Sequence, residues 1–319
     1  MKNTNSQVQF ITVLLASTFL MASSFIAGKI LLSDGFPPFM LVGWRFLFAS
    51  LAVLPILCFE KDRTFLQALF PKKLKSKHIR HLFIIGLLQT TGVIGLIFWA
   101  MESVSANIAS ILLYTNPLWV AVLGSFLLKE NLYRKQVVGL ILGIIGVVLA
   151  IGLKLSGEVE YSILGLTIGL ASAVCWSLAT IVNKKTNVPF SPWTLTFWQM
   201  FIGSIFLLII SYIRGEQSTS DYSLVNPEWF FWLVVPGSTI ALGLWFKALS
   251  INGATKSSGY LFLCPAFTIL ISFFIFDKHI SGIQLLGGLF IAVALLLISN
   301  GKKSGSSGSR RKYFSKYSP

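Results

Sequence analysis

Charged residues are scarce in this sequence, and basic ones outnumber acidic ones. Of its 319 residues only 12% are charged, whereas 55% are hydrophobic and the mean hydropathy is +0.77. A soluble domain of this length cannot conceal so much apolar surface around one core. The composition therefore predicts an all-α integral membrane protein whose surface is largely covered by the lipid bilayer.

Residues that carry chemistry are also few. The three histidines, His78, His81 and His279, are assigned to loops, and no predicted helix contains Asp or Glu. The three cysteines lie within apolar runs, without paired or metal-like spacing, and are interpreted as buried thiols. An intramembrane enzyme would need a base, a nucleophile or a metal cluster. We therefore predict no enzymatic activity, no metal site and no cofactor.

The basic residues, 26 in all, give a formal net charge of +15. They cluster between apolar runs and not along a soluble face, so membrane topology explains them better than nucleic-acid binding does. Positive charge is retained on the cytoplasmic side of a membrane, and most of these residues fall in alternate loops and at the two ends of the chain. Both termini are therefore predicted to be cytoplasmic, with the protein in the cell inner membrane.

Long apolar runs dominate the chain. A helix needs roughly 20 apolar residues to cross about 30 Å of hydrocarbon, and continuous runs favour helices over the alternating strands of a barrel. The sequence predicts ten transmembrane helices, at residues 9–32, 38–59, 81–100, 105–128, 134–153, 162–183, 191–213, 229–250, 256–276 and 281–299.

The two halves of the chain repeat each other. The segment Gly95–Ala100 resembles Gly243–Ala248 at a shift of 148 residues, and the same shift aligns Pro117 with Pro265. A shift of 155 residues aligns the earlier part of each half. Because five helices per half is an odd number, the second half must enter the membrane inverted. We predict two inverted five-helix repeats, residues 1–155 and 156–300, followed by a disordered basic cytoplasmic tail, residues 301–319.

Both copies of one stretch resemble a known family. The stretch contains Ser105–Ser110, Pro117 and Leu128–Leu132, and its copy includes Ala254 and Pro265. It is similar to the drug/metabolite transporter superfamily, specifically its EamA-type members. The resemblance implies a secondary transporter of a small organic metabolite, amino-acid-like or drug-like, that works by alternating access. We favour export; an importer or exchanger is the alternative, and a membrane-embedded enzyme or sensor is a more distant one.

Candidate residues for a substrate cavity are the polar, aromatic or basic groups predicted inside the helices. Such a set supplies ring faces and a few hydrogen-bond partners, which suits amino acids or aromatic metabolites. Helix packing or an interhelical hydrogen bond is the alternative role for each of them. The candidates are Ser24, Arg45, Gln89, Tyr114, Asn116, Trp176, Thr180, Thr239, Lys247 and Tyr260.

Two charges and two prolines have alternative roles. Arg45 is predicted near the midplane, where a charge is costly; it pairs either with an anionic substrate group or with backbone carbonyls or Gln199. Lys247 either adds charge to the cavity or extends its ammonium to water. Pro117 and Pro265 are predicted near mid-helix, where each is either a hinge or a static kink.

Overall fold

The computed structural model describes residues 2–59, 64–70, 75–100, 103–104, 109, 112–129, 132–151, 162–185, 190–216, 227–251, 254–276 and 281–299. This part of the chain is helical and contains no strand. A short helix, Phe65–Leu69, lies between the second and third long ones. The long helices are α1 (Lys2–Ser33), α2 (Pro38–Cys58), α3 (Ser76–Ala100), α4 (Leu112–Leu127), α5 (Arg134–Ile151), α6 (Ile163–Lys185), α7 (Pro192–Ile213), α8 (Pro227–Ile251), α9 (Ala254–Ile275) and α10 (Gly282–Ser299).

Seven of these helices, α1–α3 and α6–α9, are long and apolar enough to cross a membrane. The apolar helices in α4 and α10 are shorter. In the seven, roughly half of each apolar stretch is buried inside the protein, and the rest exposes large apolar groups such as Phe274. A surface of this kind fits hydrocarbon better than water. Ten membrane crossings, and the disorder of the tail, which lies outside the described residues, stay predictions.

The start of α2 is held by a residue from the other half of the chain. Pro38 stands in the first turn of α2, where its missing N–H costs no helical hydrogen bond. The carboxylate of Glu216, just after α7, accepts hydrogen bonds from the backbone N–H groups of Phe39 (3.3 Å) and Met40 (2.9 Å). A negative charge at a helix N-terminus is favourable, so Glu216 ties the end of α7 to the start of α2.

Four helices contain irregular turns. A π-helical stretch, Gly86–Gly95, lies within α3, and a shorter one, Val235–Ile240, lies within α8. In α4 a turn at Thr115 directly precedes Asn116 and Pro117, and in α9 a 3₁₀ turn, Tyr260–Phe262, precedes Pro265. The two prolines therefore follow breaks in their helices. Their role as hinges stays a prediction.

Helices pack mainly across the two halves. α2 lies against α7, and α5 lies against α10. α1 packs on α8 and α9, whereas α6 packs on α3 and α4. The largest hydrophobic core takes buried side chains from α1 and from α3 to α10, and it includes Tyr114, Trp176 and Trp245. The centre of the molecule is therefore built from both halves.

Hydrogen bonds between these helices occur in matched pairs. The hydroxyl of Ser17 in α1 donates to the carbonyl of Ala241 in α8, and the hydroxyl of Ser172 in α6 donates to the carbonyl of Val93 in α3; both distances are 2.8 Å. The serines are separated by the 155-residue shift of the repeat, and their acceptors by the 148-residue shift. Each half therefore makes the same contact with the other.

A second pair of bonds follows the same rule. The Cys264 thiol donates to the carbonyl of Thr18 (3.6 Å), and the side-chain amide of Asn116 donates to the carbonyl of Ala173 (3.3 Å). Cys264 and Asn116 are aligned by the 148-residue shift, and the two acceptors by the 155-residue shift. The side chain differs between the halves, but the carbonyl that it contacts is the same.

Close backbone contact joins α5 to α10. A Cβ on Gly139 would lie 2.9 Å from the carbonyl oxygen of Ala294, and a Cβ on Gly146 would lie 2.9 Å from that of Gly287. The 148-residue shift aligns Gly139 with Gly287 and Gly146 with Ala294, so the two contacts are equivalent in the repeat. Small residues let membrane helices approach closely, so the glycines set the separation of α5 and α10.

The predictions that His78 and His81 lie in loops and that Cys58 is a buried thiol were wrong. His78 and His81 lie inside α3, which begins at Ser76, and both are buried. The lysines around this helix start lower its hydropathy, so the apolar run begins later than the helix does. Cys58, at the end of α2, is exposed, whereas Cys264 is buried as expected.

We expect Gly146→Ala to lower the free energy of unfolding by about 1–3 kcal/mol, because its methyl group would overlap the backbone of α10. Gly288→Ala is the matched control, since nothing lies within 4 Å of the position of its Cβ. Denaturant or thermal unfolding in detergent measures both. Equal stability of the two variants would contradict this account of the α5–α10 contact.

Candidate substrate site

The candidate cavity residues lie in the protein interior. All of the uncharged ones are buried, whereas Arg45 and Lys247 are half-buried. They separate into a group at the contact between α2 and α8 and a second group at the centre, where α1, α4, α6, α8 and α9 meet. The sequence placed them in one cavity; the structure places six of the ten in these two groups and the other four around them.

Arg45 lies at the α2–α8 contact and is engaged by α8. Its Nε donates to the hydroxyl of Ser238 (2.7 Å), its terminal nitrogen donates to the carbonyl of Gly237 (3.3 Å), and its guanidinium lies 4.9 Å from the centre of the Phe46 ring. These contacts satisfy donors that would otherwise be costly in hydrocarbon. In this structure Arg45 therefore joins the two halves; a role in substrate binding stays a prediction.

Gln199 makes no hydrogen bond with Arg45 in this structure but takes part in the corresponding bond on the other side. Its side-chain oxygen accepts a hydrogen bond from the hydroxyl of Thr90 (2.6 Å), which joins α7 to α3. Thr90 and Ser238 are aligned by the 148-residue shift, and Arg45 and Gln199 occupy neighbouring aligned positions. The guanidinium of Arg45 thus stands next to the position that is aligned with Gln199, whose side chain is a neutral amide.

Thr239 and Ser24 also belong to the α2–α8 region. The hydroxyl of Thr239 donates to the carbonyl of Ala49 in α2 (2.8 Å). The hydroxyl of Ser24 donates to the carbonyl of Met21 in its own helix, and its Cβ lies 2.7 Å from where Gly237 would carry one. In this structure both residues make packing contacts between helices.

The central group is defined here as Tyr114, Asn116, Trp176, Trp245 and Cys264. The rings of Trp176 and Trp245 lie 6.2 Å apart at 64°, edge to face. The hydroxyl of Tyr114 lies beside the Cys264 thiol, whose hydrogen is directed to Thr18. Four helices, α4, α6, α8 and α9, thus supply the central group.

Several polar atoms of the central group are buried without a hydrogen bond. Within the described residues no partner is found for the indole nitrogens of Trp176 and Trp245, the hydroxyl of Tyr114 or the side-chain oxygen of Asn116. Leaving a buried polar atom unpaired costs roughly 1–3 kcal/mol. Buried polar atoms without a partner call for an explanation, such as an ordered water or a bound ligand.

The remaining candidates lie around these groups. Thr180 donates to the carbonyl of Trp176 one turn away (3.0 Å), and the ring of Tyr260 meets that of Phe10 at 5.9 Å. Gln89 lies in the π-helical stretch of α3, and its side-chain oxygen is buried without a partner in the described residues. Lys247 lies near the end of α8, half-buried.

Sequence reasoning missed Trp245, Cys264 and Ser238. Trp245 is fully buried, and it stands in the segment that revealed the repeat, two residues before Lys247. A signal existed in the alignment of the repeats, because Cys264 stands at the position of Asn116, and Ser238 at that of Thr90. Reading both halves at the same positions would have found Cys264, because Asn116 was already a candidate, but not Trp245, whose aligned residue is Ile97.

Helices of this kind, with apolar outer faces and polar contacts inside, are those of a multi-pass membrane protein. The EamA-like transporter family matches residues 9–152 and again residues 163–300. The chain belongs to this family. The family and the names of its relatives indicate a transporter and not an enzyme.

Similar proteins come from several organisms. The uncharacterized transporter YvbV of Bacillus subtilis is 29% identical over 82% of this chain and 88% of its own length. The protein PecM of Dickeya dadantii is 28% identical over 69% of this chain and 73% of its own. A crystal structure with a TM-score of 0.73 and 18% identity covers 92% of this chain and 97% of its own. The last match shows the fold alone.

We expect Ser238→Ala to lower the free energy of unfolding by about 1–2 kcal/mol, because it leaves the Nε of Arg45 without this acceptor in a membrane interior. Ser204→Ala is the control, since Ser204 is equally buried but bonds only to Phe201 in its own helix. Unfolding in detergent compares the two. An equal effect would contradict a structural role for the Arg45–Ser238 bond.

Proposed function

We propose that this protein is a secondary transporter that moves a small organic metabolite across the inner membrane by alternating access. Ten transmembrane helices form two inverted five-helix repeats, residues 1–155 and 156–300, with both termini in the cytoplasm. Export is favoured, and import or exchange is the alternative. The matched hydrogen bonds that each half makes with the other carry this proposal.

The matched bonds support a two-fold relation between the halves. α1 lies on α8 and α9 of the second half, and α6 lies on α3 and α4 of the first. Two copies of one bundle, related by an axis in the membrane plane, can open a central site to either side by the same motion. The family match over each half separately, residues 9–152 and 163–300, is further support.

The central group supports a small organic solute as substrate. It lies where helices of both halves meet, and it combines aromatic rings with hydrogen-bonding atoms that lack partners in the described residues. Ligand sites in membrane helix bundles are built from such facing side chains. We place the substrate there, with Arg45 outside the contact shell and holding α2 to α8.

Cross-linking tests alternating access. In a protein without its native cysteines, Ser17→Cys with Ala241→Cys would form a disulfide between α1 and α8, which already approach within hydrogen-bonding distance. We expect oxidation to stop flux, because the two halves can then no longer move apart, and reduction to restore it.

The flux assay uses proteoliposomes loaded with amino acids, aromatic acids, amides and nucleosides, and mass spectrometry of the released solutes. The reduced form of the same protein is the control, and the Ser172→Cys, Val93→Cys pair tests the equivalent contact. Flux that persists through a verified cross-link would refute alternating access at these contacts. Protein-free liposomes give the background rate of solute release.

Reporter fusions test the topology. We expect green fluorescent protein fused after Pro319 to fluoresce in cells and alkaline phosphatase at the same place to be inactive, because the C-terminus is proposed to lie in the cytoplasm. Fusion in the loop between α1 and α2 should give the opposite result. Active phosphatase at the C-terminus would overturn its cytoplasmic placement, and active phosphatase at both sites would also overturn the even number of crossings.

A further inference from the structure

We propose that the substrate is a small amphipathic molecule whose polar end carries hydrogen-bond acceptors and no positive charge, and that the indole N–H groups of Trp176 and Trp245 bind this end. The proposal rests on the proposed function, since it names the substrate class of the same central group. It predicts that uncharged and anionic solutes bind, whereas amines, cationic drugs and free amino acids do not.

The unpaired atoms of the central group are mainly donors. An indole N–H can only donate, and the hydroxyl of Tyr114 can donate as well. The relative exposures of Trp176, Trp245 and Tyr114 are 7%, 0% and 3%, so bulk water does not reach these side chains freely. A ligand that satisfies them must bring acceptor atoms, as a carboxylate or a carbonyl does. The side-chain oxygen of Asn116 is an unpaired acceptor and can pair with one uncharged donor group of the ligand.

A cationic ligand at this place finds no acidic side chain in the described part of the chain. Among the residues that the structure describes, the acidic side chains Asp34, Glu216 and Glu228 stand at the ends of α1, α7 and α8. A cation at the centre would therefore lose its hydration without a counter-charge. Uncharged groups avoid this cost, and hydrogen bonds from the N–H and O–H donors offset part of it for an anionic group.

Aromatic rings alone can hold a cation over their faces, but the geometry of the two indoles does not favour this. The rings of Trp176 and Trp245 meet edge to face, so part of one face is already covered by the other ring. A cation over the remaining face would leave both N–H groups unpaired. The groups without a hydrogen-bond partner are the two indole N–H groups, so the ligand must supply an acceptor.

The positions aligned with Trp176, Trp245 and Tyr114 hold apolar side chains. In the aligned repeat Met21 corresponds to Trp176, Ile97 to Trp245 and Phe262 to Tyr114, and all three are buried in the same core. These three donors therefore have no counterpart at the aligned positions. A substrate that fits both sets of side chains has an apolar body and one polar end.

Four probes that share a phenylpropyl body test this inference: 3-phenylpropanoate, 3-phenylpropanamide, 3-phenylpropylamine and phenylalanine. Ligands that bind the folded state raise its melting temperature. With purified protein in detergent, we expect the acid and the amide to raise it at millimolar concentration and the amine and phenylalanine to have no effect. Phenylalanine differs from the acid by its ammonium group, so this comparison isolates the positive charge.

Variants of the indoles locate the binding. We expect Trp176→Phe and Trp245→Phe each to weaken binding of the acid by about tenfold, as loss of one hydrogen bond to a charged group does. Trp198→Phe is the matched control: its N–H is already bonded to the carbonyl of Leu69, so binding should not change. Melting curves without probe show whether each variant folds. If one indole variant does not fold, the other still tests the proposal.

Three results would overturn the proposal: tighter binding of the amine or of phenylalanine than of the acid, binding of none of the four probes, or indole variants that bind the acid as wild type does. None of these would affect the proposed transport function, which the flux and cross-linking measurements test independently. If no flux responds to the cross-link but the acid still binds, the alternating-access mechanism is refuted and the binding site remains.

Discussion

The structure depends on one requirement: a polar group within the membrane helices must find its partner inside the protein, because hydrocarbon offers none. Here many of these partners lie in the other half of the chain. Ser17 and Ser172 donate across the halves to backbone carbonyls, and Arg45 reaches Ser238 in α8. The same bonds that satisfy polar groups therefore hold the two halves together.

Departures from the repeat mark the places where the halves differ in chemistry. Arg45 stands beside the aligned position of Gln199, and Asn116 stands at that of Cys264, although each member of the second pair contacts an equivalent carbonyl. Hydrogen bonds to the backbone tolerate such exchanges, since a carbonyl accepts from a thiol, an amide or a hydroxyl. Side chains at these positions can therefore diverge while the packing of the helices is kept.

The positions of helices were more predictable than the contacts of side chains. Apolar runs located α2, α6 and α7 to within a few residues. The start of α3 was placed too late, because lysines surround His78 and hide the helix from hydropathy. Among the candidate residues, burial was expected, but the separation of Arg45 from Trp176 into two groups was not.

The sequence by itself determined that the chain is an apolar helical protein with two related halves, and its motifs pointed to the EamA family. These properties follow from composition, run length and residue order, which need no knowledge of contacts. Only the tertiary structure decided which polar atoms are satisfied and that Trp245 meets Trp176. The reason is physical: these contacts depend on the rotation and depth of each helix, which packing against its neighbours sets.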